Sequence, residues 1–73
     1  MTDIKQLREK IDKSGYKISF IAEKLGLTPQ GLYLKLNNTN EFKATEIQIL
    51  CKLLGITDPE EMKEIFFAAE VAE

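Results

Sequence analysis

Apolar residues recur every three or four positions along almost the whole chain, and that period is helical. Ile4, Leu7 and Ile11 share one face; so do Ile18, Ile21, Ala22 and Leu25; so do Leu32 and Leu36. Ile47, Leu50, Cys51 and Leu54 repeat the pattern, and Met62, Ile65, Phe66 and Ala69 repeat it again. No segment sustains the period-two alternation of a half-buried strand. Between the stripes stand residues that stop helices: Ser14-Gly15, Gly26, Asn37-Asn38 and Gly55. Short amphipathic helices with tight connections bury their stripes by packing on each other, so the expected class is all-α.

The punctuation sets the boundaries. The first helix is expected over 3–13, and the second closes at Gly26, where a helix end favours positive φ. Thr28-Pro29 opens the third: threonine caps well, and proline at the first helical position loses no needed donor. Asn37-Asn38 stops it, since asparagine tolerates the left-handed region. Thr39-Asn40-Glu41 reads as a loop, with Phe42 anchoring it in the core. The fourth helix is expected over 44–54 with Gly55 as its stop. Asp58-Pro59-Glu60-Glu61 starts a fifth, with Glu61 placed for a capping box. The chain has 73 residues, which leaves no room for two domains. The reading is one compact five-helix domain over 1–73, with a core in 3–67 and a C-terminal tail at 68–73. A domain this small buries only about 60% of its unfolded surface, so dimerisation would help it.

The sequence has one cysteine and no histidine. That removes the commonest general base, the Ser-His and Cys-His dyads and most zinc sites. An enzyme is not expected, and neither is a cofactor, a metal or a small-molecule ligand. Cys51, between apolar neighbours, reads as a small buried hydrophobe, which fits a reduced, cytoplasmic setting. No apolar run approaches the length of a membrane span, and the first ten residues lack a signal-peptide core. Net charge is −2, yet it is polarised. Residues 1–43 carry eight Lys/Arg against five Asp/Glu, net +3; residues 44–73 carry two against seven, net −5. A basic front and an acidic back can orient a chain on a polyanion.

The informative stretch is 18–37, ISFIAEKLGLTPQGLYLKLN. Ala22 is small enough for two helices to cross closely. Gly26 allows a sharp turn four residues later, Leu27 plugs the turn and Leu32 holds the next helix. A helix-turn-helix needs this spacing, two helices at ~90–120° joined by ~3–4 residues. Here the sequence resembles the lambda-repressor-like, Cro/repressor-type helix-turn-helix domains over about 3–67. Its words LYLKLNN, EF at 41–42, EI at 46–47, LGI at 54–56 and IFF at 65–67 resemble the small Cro-like regulators of Gram-positive phages and prophages. The resemblance implies a five-helix domain with the helix-turn-helix at its second and third helices. It also implies sequence-specific binding to palindromic, double-stranded operator DNA as a homodimer.

In such domains the first turn and outward face of the third helix read bases. Those positions hold Thr28, Pro29, Gln30, Tyr33 and Leu34. Gln30 can pair bidentately with adenine; Tyr33 can reach a phosphate or a thymine methyl. Leu34 departs from the family, which commonly places a polar or basic residue there. Lys35 falls where many relatives bury an aliphatic residue, so its stem is expected to cover the core while its ammonium reaches a phosphate. Lys17 and Lys43 stand at helix starts where relatives often have threonine or serine. Lysine caps poorly and its charge opposes the helix dipole, so both read as phosphate clamps. The alternative is a pair of solvated lysines, with caps supplied by Ser14, Ser19, Asn40 or Thr45. Ser19, Asn37, Asn38 and Thr39 complete the expected DNA-facing set. Gly31 permits close approach to DNA or fits a crowded core.

The tail IFFAAEVAE offers more apolar groups than one helix face buries. Phe67 and Val71 are expected at a dimer interface, with Phe20, which lies off its helix's stripe, as the other candidate. A competing reading is a protein-interaction module on the same fold, antirepressor- or antitoxin-like, without DNA binding. The acidic back, the sequence pI of about 5.1 and Leu34 favour it.

Overall fold

The computed structural model describes residues 2–67. Five helices follow one another: α1 Ile4–Ser14, α2 Ile18–Leu25, α3 Pro29–Leu36, α4 Ala44–Leu54 and α5 Pro59–Phe66. Among the described residues there is no strand. No helix among them is long and apolar enough to cross a membrane.

Local chemistry sets each boundary. Asp3 is the cap of α1 rather than its first residue. Its carboxylate accepts from the Gln6 N–H at 3.2 Å and from the Gln6 Nε2 at 2.9 Å. Those bonds to Gln6 hold the Asp3 pKa below its ordinary value. Ser14 belongs to the helix, where its hydroxyl donates to the Ile11 carbonyl at 2.6 Å. Gly26 closes α2 at φ 73°, which lets the next N–H, that of Leu27, turn back to the Ala22 carbonyl at 2.8 Å. Only glycine takes that backbone without a steric penalty. Thr28 caps α3, accepting from the Gly31 N–H at 3.0 Å. Asp58 caps α5, accepting from the Glu60 N–H at 3.0 Å. The expected capping box on α5 does not form, because Glu61 pairs with Lys10 of α1 instead.

The stripes converge on one core. Leu7, Ile21, Leu32, Leu36, Leu50 and Ile65 are the largest fully enclosed side chains. α2 packs on both α3 and α4, and α1 on α4 and α5. Phe42 enters from the α3–α4 connection and meets Phe66 edge to face, centroids 6.1 Å apart. Ile56 is buried as well. Its N–H follows Gly55 back to the Cys51 carbonyl at 2.9 Å, so the turn that ends α4 also plants a core residue. Cys51 itself packs against the core from the edge and is only half-buried. Burial raises its thiol pKa, and the charge of Glu61 adds to the shift.

Candidate nucleic-acid interface

α3 divides into an inner and an outer face. Leu32, Lys35 and Leu36 are buried, while Pro29, Gln30, Tyr33 and Leu34 are exposed, with Asn37 following at the C-cap. Helical spacing sets Gln30, Tyr33, Leu34 and Asn37 three and four residues apart, on one continuous outer surface. Tyr33 and Leu34, adjacent in the chain, are 45% and 44% exposed. Thr28 is exposed, but its hydroxyl accepts the Gly31 N–H. A methyl added at Gly31 would lie 3.3 Å from that oxygen, with Leu27 no nearer than 3.9 Å. The close neighbour of Gly31 is therefore the cap itself, not a packed core.

Tyr33 also borders a cleft of about 330 Å³ whose other walls include Arg8, Asp12, Tyr16 and Ile18. The cleft joins α3 to the end of α1 and the start of α2. Arg8 and Tyr16 carry no pattern that sequence spacing could flag, since their proximity to Tyr33 is made only by packing.

Two helix starts flank α3 in the chain. Lys17 caps α2 and Lys43 caps α4, both in extended backbone, both exposed and neither with a side-chain capping bond. The alternative caps are not used at α2. Ser14 Oγ accepts from the Tyr16 N–H at 3.1 Å and so closes α1, and Ser19 lies inside the helix, exposed. At α4 the Lys43 N–H donates to Glu46 Oε1 at 2.8 Å. This is the carboxylate half of a capping box; an ammonium has no lone pair for the other half. The opening N–H groups of both helices therefore lack a side-chain acceptor at the cap, and a lysine projects beside each.

The connection from α3 to α4 is tied to the end of α3. The N–H groups of Thr39 and Asn40 donate to the Leu34 carbonyl at 2.9 and 3.2 Å. Asn38 takes φ 62°, as its place after the helix led one to expect. Asn37, Asn38 and Thr39 are all exposed.

Lys35 is a correction. Its ammonium does not reach outward but donates to Glu46 Oε1 at 2.9 Å and to the Glu41 carbonyl at 3.0 Å. Both partners of the ion pair are buried. Burial pushes the Glu46 carboxyl upward, but the Lys43 N–H and the Lys35 ammonium outweigh it and hold the pKa below its ordinary value. Glu46 holds the third position after the Lys43 cap, but its pairing with Lys35 is not expected from the chain, although a lysine between Leu32 and Leu36 on an inner stripe calls for a buried acid somewhere. With Lys35 and Lys10 paired internally, the exposed cations of the basic front are Lys5, Arg8, Lys13, Lys17, Lys24 and Lys43.

The dimer candidates have different surroundings. Phe67 is 51% exposed and borders an apolar groove of about 300 Å³ lined by Phe42, Ala44, Ile47, Gln48 and Met62. Phe20 is 36% exposed and sits between Tyr16, centroids 5.0 Å apart, and the Lys24 ammonium at 5.3 Å. Val71 lies outside the described residues. No protein-family model, no curated protein and no solved structure matches the chain.

Proposed function

We propose that this protein is a sequence-specific DNA-binding transcriptional regulator of the lambda-repressor-like, Cro/repressor type, with α2 and α3 as its helix-turn-helix, acting on a palindromic operator as a homodimer. The observation that carries the reading is the outer face of α3, exposed from Pro29 to Asn37, with lysine-capped helix starts on either side of it in the chain. α3 enters the major groove, where Gln30 pairs with an adenine edge and Leu34 meets a thymine methyl. Lys17 and Lys43 neutralise phosphates, each beside the unsatisfied donors and positive dipole end of its helix. Asn37, Asn38 and Thr39 line the backbone beyond α3. Phe67 and its groove bring in the second copy. Regulation on this reading works by occupancy: the bound dimer excludes a competing protein from the same DNA.

A second reading has its own support. Leu34 and Tyr33 offer apolar area where base readout needs hydrogen bonds, as a protein-binding face does. Selection of bound duplexes from random DNA, followed by a shift assay across a salt series, separates the two. The DNA reading expects one enriched palindrome and an affinity that falls steeply with salt. Retention of no sequence, with no salt-dependent binding, would leave the protein-interaction reading.

A further inference from the structure

A cation and a carboxylate that could each sit in water are instead enclosed between α3 and α4. Lys35 Nζ reaches Glu46 Oε1 at 2.9 Å and the Glu41 carbonyl at 3.0 Å, and lies 5.9 Å from the Phe42 ring centroid. The same Glu46 oxygen accepts the Lys43 N–H at 2.8 Å. One ammonium and one carboxylate oxygen thus tie the last turn of α3 to residues 41, 43 and 46. Among the described residues no buried side-chain polar atom is left without a partner. Two apolar residues of similar volume would fill this space without the desolvation penalty of two charges. What the pair adds is direction: apolar burial of Phe42 draws the connection inward, but only hydrogen bonds fix where the Lys43 backbone stands relative to α3.

We propose that Lys35 and Glu46 are positioning residues that hold the 37–43 connection and the start of α4 at one distance from α3, so that Lys43 and the outer face of α3 engage the same duplex together. Neither side chain touches DNA. The inference rests on the DNA-binding reading and assigns the affinity of Lys43 to a buried pair behind it. A connection already held in its bound shape loses less entropy on binding.

The test combines residue-resolved amide hydrogen exchange on the intact chain with a double-mutant cycle in DNA binding. Lys35→Met keeps the stem and removes the ammonium; Glu46→Gln keeps an oxygen for the Lys43 N–H and removes the charge. In Lys35→Met, exchange at Lys43 and Asn40 should rise by about tenfold more than at Leu50, whose exchange reports global opening. Binding to the best selected duplex should weaken by about tenfold and lose about one unit of salt slope, although Lys43 is still present. That loss should vanish in a Lys43→Ala background, because Lys35 acts through Lys43. If Lys35→Met does not fold, Glu46→Gln carries the same comparisons. Exchange at Lys43 rising no more than at Leu50, or losses in the two single variants that simply add, overturns the positioning role and leaves the DNA-binding reading standing. Failure of the unaltered chain to bind any duplex overturns the DNA-binding reading itself.

Discussion

Glu46 illustrates how one buried atom sets a pH dependence. Its folded pKa is depressed, so its contribution to stability is fully present above the unfolded value, about 4.3, and is lost as pH falls through the folded value. Glu46→Gln should be less stable than the parent by about 1.5–3 kcal/mol at pH 7, the usual worth of hydrogen bonds to charged groups. The difference should shrink toward zero as the pH is lowered below about 4. Urea unfolding from pH 7 to pH 3 checks this, and a difference independent of pH would mean the pair carries no charge coupling. On the outer side of the same region, Gln30 is exposed on α3. Gln30→Ala should relax preference at one base per half-site and cost about 1–3 kcal/mol on the best site. An equal loss on all sequences would assign Gln30 to the backbone.

At the scale of elements, helix starts and helix seating make separable claims. Lys43 already receives half a capping box from Glu46. A threonine there supplies the missing acceptor, so Lys43→Thr should hold stability or raise it by up to about 1 kcal/mol. The same change should weaken DNA binding almost uniformly and lower the salt slope by about one. Effects of opposite sign cannot come from a general folding defect; unchanged affinity and slope would make the lysine a solvated one. α3 itself is seated by Leu32, which is fully enclosed. Leu32→Ala should destabilise by about 2–5 kcal/mol in thermal or urea unfolding, and a loss below about 0.5 kcal/mol would be incompatible with that burial.

For the whole molecule, size is the constraint. The radius of gyration is 11.5 Å, close to the ~11 Å expected of a compact chain this long. A core of this extent leaves a small stability margin, while Phe67 and the groove beside it keep apolar area in water. In the proposed dimer a second copy would cover that area, which would stabilise both copies and suit two half-sites one turn apart. Sedimentation should show a concentration-dependent dimer that Phe67→Ala weakens. A dimer unaffected by that change would move the interface, with the Tyr16–Phe20–Lys24 stripe as the next surface to test.

Helix class, helix order and most boundaries could be read from the chain, because they depend on local events: a period of apolar residues, a threonine or aspartate before a proline, a glycine after the last turn. Lys17 and Lys43 stand at helix starts by the family resemblance rather than by any local cap signal, and both occupy cap positions in the structure. The inward turn of Lys35 and its pairing with Glu46 are not legible in the chain, because a lysine ordinarily keeps its ammonium in water and only the approach of α4 encloses it with an acid eleven residues away. Glu61 left its expected box for Lys10 because α1 packs on α5, a partner no local pattern names. The cleft joining Tyr33 to Arg8 and Tyr16 has the same origin. Periodicity and capping are settled within a few residues of backbone, so sequence alone determined the helices of this protein and which face each would bury. The pairing of charges across elements depends on which helices meet and how deeply they exclude water, and only the tertiary structure decided that.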